Sequence, residues 1–122
     1  MSSLDQNSPL FDLSYLEEIS YGNNAFVEKM KSVFVSMVDE NLPILEHHLK
    51  NESIEGVKKV VHQFKPSLKH LKVFTALELI QKIENTSWES KNFDELIELV
   101  KHLSQILYNV ATALTNNHNK VT

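Results

Sequence analysis

Apolar residues recur three and four positions apart through most of this chain, and strand-like alternation of apolar and polar positions is missing, so the pattern predicts helices throughout. A short helix over residues 12–20 carries Leu13, Leu16 and Ile19 on one face. Tyr21-Gly22-Asn23-Asn24 breaks it and supplies an asparagine cap for the next helix. That second helix, over 24–50, buries Phe26, Met30, Val33, Phe34, Met37, Val38 and Leu45, with Pro43 expected to bend it. The third, over 53–72 and capped by Ser53, aligns Val57, Val61, Phe64, Leu68 and Leu71 in one stripe. A fourth over 74–86 centres on Leu77, Ile80 and Ile83, and a fifth over 93–115 on Leu96, Val100, Leu103, Leu107, Val110 and Leu114. Helices of this length with short connections pack antiparallel, so the expected fold is all-α: an up-down-up-down four-helix bundle with a short N-terminal helix over one end. Residues 11–115 form the expected helical domain, and the polar ends, 1–10 and 116–122, are expected to be flexible.

A chain of 122 residues suits one domain with one core, and 42% hydrophobic against 23% charged residues is a globular balance. No apolar run approaches the roughly 20 residues that cross a bilayer, and the N-terminus lacks the basic-then-apolar order of a secretion signal, so the expected location is cytoplasmic. The absence of cysteine excludes disulfides and thiolate metal sites. A net charge of -4 argues against nucleic acid as a partner. The basic groups are nevertheless uneven: residues 53–72 hold five lysines against the single acid Glu55, a local balance of +4. Arginine is absent, so any phosphate or carboxylate contact must use lysine point charges rather than planar guanidinium forks.

The centre of that basic segment is His62. At about 100° per residue it points away from the apolar stripe, and its neighbours three, four and seven positions away are Lys58, Lys59, Lys65 and Lys69. Such a ladder suits a phosphoryl group or an acidic partner, with Lys58, Lys59 and Lys69 as docking charges. Neutral imidazole is a competent nucleophile toward phosphorus, and Lys65 is spaced to offset charge on phosphoryl oxygens. The plainer reading is a solvated histidine on a solubilising lysine face. His47, His48 and His70 are spaced poorly for shared chelation, and Trp88 is read as a lid on one end of the bundle.

His62-Gln63-Phe64-Lys65-Pro66-Ser67 resembles the His-x-x-Lys-Gly-Ser core of histidine-containing phosphotransfer (HPt) domains, the carriers of multistep phosphorelays. The order of elements over residues 11–115 is similar too, with the histidine on the third of five helices. The resemblance implies that His62 accepts the phosphoryl group, that Lys65 steadies it and that Ser67 fills a small polar position behind it. It further implies no bound ATP, metal or other cofactor. The partners would be receiver domains of response regulators or hybrid histidine kinases, whose own magnesium supports transfer, and the carrier would be a monomer without kinase activity. The family's glycine after the lysine is here Pro66, which cannot donate to the carbonyl of His62 and is expected to bend the helix while leaving the histidine uncrowded. Lys69, His70 and Lys72 stand where the family has small or apolar residues, making this face more basic. The expected function is a phosphorelay intermediate that takes a phosphoryl group on His62 from one receiver aspartate and passes it to another. The alternative is a non-catalytic helical adaptor that binds an acidic partner through the same face.

Overall fold

The computed structural model describes the backbone of residues 10–121 and side chains as far as residue 116. Of the ends expected to be flexible, 1–10 and 116–122, residues 1–9 and 122 lie outside that description, and the backbone of 116–121 continues the last helix. The elements in chain order are α1 (Ser14–Ser20), α2 (Asn24–Lys50), α3 (Ile54–Gln63), α4 (Lys65–His70), α5 (Phe74–Asn85), a 3₁₀ turn (Ser90–Asn92) and α6 (Phe93–Val121). The described residues contain no strand.

Side-chain caps start two of these helices: Asn23 Oδ1 accepts the Phe26 N–H at 3.2 Å, and Ser53 Oγ accepts that of Gly56 at 3.2 Å. Just ahead of α1, Asp12 Oδ1 accepts the Ser14 N–H at 2.8 Å. The ends of α2 and α4 share a different device. Ser53 N–H donates to the His48 carbonyl at 2.8 Å and Glu52 N–H to Leu49 at 3.0 Å; Val73 donates to Leu68 at 2.9 Å and Lys72 to Lys69 at 3.2 Å. Both are Schellman closures, which require a left-handed residue, supplied here by Glu52 at φ 53° and Lys72 at φ 57° rather than by glycine. The turn after α1 puts Tyr21 at φ 52° and Gly22 at φ 83°, and only the glycine takes that conformation without a Cβ penalty.

The helix α2 packs on α1, α3 and α6, while α5 packs on α3, α4 and α6. Inside, Phe34 and Phe64 meet edge-on at 6.3 Å. The helix α6 buries all six residues of its expected stripe. In α2 the buried set is instead Val27, Lys31, Phe34, Val38 and Leu45; Val33 is exposed, and Phe26, Met30 and Met37 are only partly covered. Both stripes have helical period, so the period alone does not say which of two adjacent faces turns inward. Lys31 tolerates burial because its ammonium pairs with Glu28 at 2.9 Å while its stem packs. Ile19 is likewise exposed, leaving Leu16 as the buried residue of α1, and Ala76 rather than Leu77 is fully buried in α5. Trp88 is buried, and its indole N–H donates to the Ile83 carbonyl at 2.8 Å, a structural seal below α5.

The expected third helix is divided at Phe64. Its backbone stays right-handed at φ -79° and ψ -16°, but its N–H tightens to the Val61 carbonyl at 3.2 Å, and a new helix begins at Lys65. Pro66 therefore sits in a first helical turn, where its missing donor is one of the orphans, instead of in an interior where it would cost about 3 kcal/mol. The apolar stripe runs through the division: Phe64, Leu68 and Leu71 are all buried.

Where α2 meets α3, the His48 ring lies over Gly56, and a Cβ at that glycine would clash with the ring atoms. Gly56→Ala is expected to destabilise the fold by about 1–3 kcal/mol through overpacking, measured by urea unfolding. An unchanged midpoint would mean that His48 swings aside without cost.

Candidate functional site

The polar face of α3 carries His62 with its side chain 68% exposed, one residue before that helix ends. Opposite it, the last turn of α5 brings in Glu84, whose side chain is only 21% exposed. His62 Nδ1 lies 2.7 Å from Glu84 Oε2, and Lys65 Nζ, from the first turn of α4, lies 2.9 Å from Oε1. One carboxylate thus ties together three helices and the two chemically distinctive residues of the sequence motif.

Partial burial pushes the pKa of Glu84 up, but hydrogen bonds from Lys65 and His62, together with their charges, outweigh it and hold the carboxyl below its ordinary value. Glu84 is therefore an anion that can only accept, so the proton between it and the ring is assigned to Nδ1. In its neutral form the ring then has its lone pair on Nε2, which has no hydrogen-bond partner among the described residues. On a side chain this exposed that nitrogen can act as a nucleophile, and a carboxylate against Nδ1 is placed to stabilise positive charge on the ring.

No family model, curated protein or solved structure matches this chain.

The other residues of the motif and its lysine ladder go to different places. Lys58 donates to the Thr86 carbonyl at 3.2 Å, at the C-terminal end of α5, where a cation is favoured. Lys59 and Lys69 are exposed. Ser67 turns toward α2, its hydroxyl 3.7 Å from Met37 Sδ, and makes no hydrogen bond to the His62 ring. Pro66 is exposed one turn beyond His62. His47 and His48 have ring centroids 6.2 Å apart, and His47 Nε2 lies 2.9 Å from the Asn51 amide. Among the described residues no group of three or more His, Cys, Asp or Glu side chains comes together to hold a metal ion, and no helix is long and apolar enough to cross a membrane.

Glu84 is the candidate site residue that the sequence alone does not single out. It follows Ile83 on a helix whose apolar period is plain, and nothing in that pattern marks it out from the other acids of the chain. Nothing local connects it to a histidine 22 positions earlier.

Proposed function

We propose that this protein is a histidine phosphotransfer carrier: His62 accepts a phosphoryl group from the aspartyl phosphate of a receiver domain and passes it to the aspartate of another. The observation that carries the reading is the exposed His62 ring whose Nδ1 faces a carboxylate shared with Lys65. In the transfer, the Nε2 lone pair attacks phosphorus in line, a nitrogen–phosphorus bond forms, and the phosphorus–oxygen bond to the receiver aspartate breaks, releasing its carboxylate. No base is needed, because Nε2 carries no proton. The ring becomes cationic as the bond forms, and Glu84 offsets that charge through the Nδ1–H. Return transfer to a second aspartate reverses these steps, and the ring is restored neutral.

Within this reading the helices form an antiparallel up-down-up-down bundle with α1 over one end. The closed circuit of packing from α2 to α3, α5, α6 and back to α2 supports that arrangement. The carrier acts in the cytoplasm as a monomer, with receiver domains as partners and no cofactor of its own, the magnesium being the receiver's.

The deciding experiment is incubation with a panel of phosphorylated receiver domains. Acid-labile, base-stable label on this chain is the expected result, and a chain left unlabelled by every receiver would leave the adaptor that binds without chemistry. Lys65→Ala is expected to slow the labelling about tenfold, the equivalent of about 1.4 kcal/mol, without abolishing it. An unchanged rate would remove Lys65 from the mechanism.

A further inference from the structure

Along the same face as His62 the surface opens into a cleft of about 450 Å³, lined by Tyr15, Pro66, Lys69, His70 and Lys72. It has no part in the chemistry described above, yet it is built by three segments that hold one another. The Tyr15 and His70 rings stack at 5.3 Å with 25° between their planes, forming an aromatic wall. Asp12 N–H donates to the Leu71 carbonyl at 2.7 Å, and Lys72 Nζ donates to Ser14 Oγ at 3.3 Å, so the approach to α1 is tied to the end of α4. The Schellman closure of α4 puts a lysine in the left-handed position that glycine usually takes. Asp12 is the carboxylate whose charge reaches Lys72, and it is engaged by the Ser14 N–H. The Lys69 side chain makes no ion pair or hydrogen bond among the described residues.

Positions 62, 66 and 69 share one face, four and three residues apart, and the backbone between them stays right-handed through Phe64. Seven residues at about 1.5 Å each place Lys69 about 10 Å along the axis from His62. We propose that this cleft receives a carboxylate side chain of the protein that docks on His62, so that the partner presents an aspartate or glutamate about 10 Å from its reacting aspartate. The inference rests on the phosphotransfer reading and specifies its partner's surface.

Open ammonium groups of this kind hold a free anion weakly, because each is screened and must lose side-chain freedom. They act strongly on a partner already brought alongside, and they set its orientation and rate of encounter. The rest of the molecule repels such a partner: the whole chain carries -4 although residues 53–72 carry +4. An acidic surface is therefore steered to this face, and the aromatic wall gives its carboxylate stem something to pack on.

The test compares Lys69→Glu/Lys72→Glu with Lys91→Glu/Lys101→Glu, an equal charge change on exposed lysines elsewhere. The readout is the second-order rate constant of transfer from a phosphorylated receiver at about 50 mM and about 300 mM salt. The cleft pair is expected to be slowed about tenfold at low salt, with the gap narrowing at high salt, while the control pair stays within about twofold of wild type. Equal slowing in both pairs would reduce the effect to net charge and overturn the inference, as would no slowing in the cleft pair. Should the double variant fail to fold, Lys69→Glu alone carries the test, since that exposed side chain leaves the core untouched. A wild-type chain that no receiver labels would sink the phosphotransfer reading itself and this inference with it, an outcome distinct from a labelled wild type with an indifferent cleft variant.

Discussion

His62→Gln is expected to take up no phosphoryl group from any receiver that labels the wild-type chain, and to unfold at the same denaturant midpoint. The first half rests on chemistry: an amide nitrogen offers no lone pair for attack on phosphorus, and among the described residues no second histidine has a carboxylate against its ring. The second half rests on burial. A side chain 68% exposed contributes little to packing, and surface substitutions of that kind stay within about 0.5 kcal/mol. Labelling experiments and urea unfolding on the same preparation separate the two. Phosphate on the variant would move the acceptor elsewhere, with His70 the next residue to replace. A stability loss well above 1 kcal/mol would make His62 a structural residue instead.

Glu84→Gln is expected to slow transfer about 10- to 100-fold while leaving the chain folded. A charge-assisted hydrogen bond is worth about 1.5–3 kcal/mol, and each 1.4 kcal/mol is tenfold in rate. Glutamine keeps the size and an acceptor for the Nδ1–H but lacks the charge that offsets the cationic ring, so the variant isolates electrostatics from shape. Nitrogen NMR of the ring provides a readout that a merely structural role would not move. The neutral ring is expected to carry its proton on Nδ1 in the wild type, and Glu84→Ala is expected to lose that preference. A tautomer unchanged in Glu84→Ala would remove Glu84 as the positioning residue.

The pH dependence has a definite sign. Because the carboxyl of Glu84 is held below its ordinary value of 4.5 in the folded chain, its contribution to stability is fully present above that value and is lost as pH falls through the lower folded one. Wild type and Glu84→Gln are therefore expected to converge in stability in acid. A difference that grew as the pH fell would reverse the assignment.

What the sequence determined by itself was whatever depends on residues within one or two helical turns of each other. The stripe of Leu96, Val100, Leu103, Leu107, Val110 and Leu114 is buried as a unit, because an isolated helix presents one apolar face and has only one thing to do with it. The caps at Asn23 and Ser53 were legible because a short polar side chain meets an unpaired N–H three residues on. The outward direction of His62 was legible from its angle to Val57, Val61 and Phe64. Tertiary structure decided the rest. It chose Val27 and Lys31 over Val33 in α2, where two overlapping stripes had the same period and only the neighbouring helices could select between them. It divided the third helix at Phe64, whose buried ring against Phe34 holds the chain while the proline starts a new first turn. It closed α2 and α4 with left-handed Glu52 and Lys72, where no glycine announced the turn. Above all it set Glu84 against His62 and Lys65, since a contact between residues on separate helices exists only once α5 has packed on α3 and α4, and no local pattern encodes it.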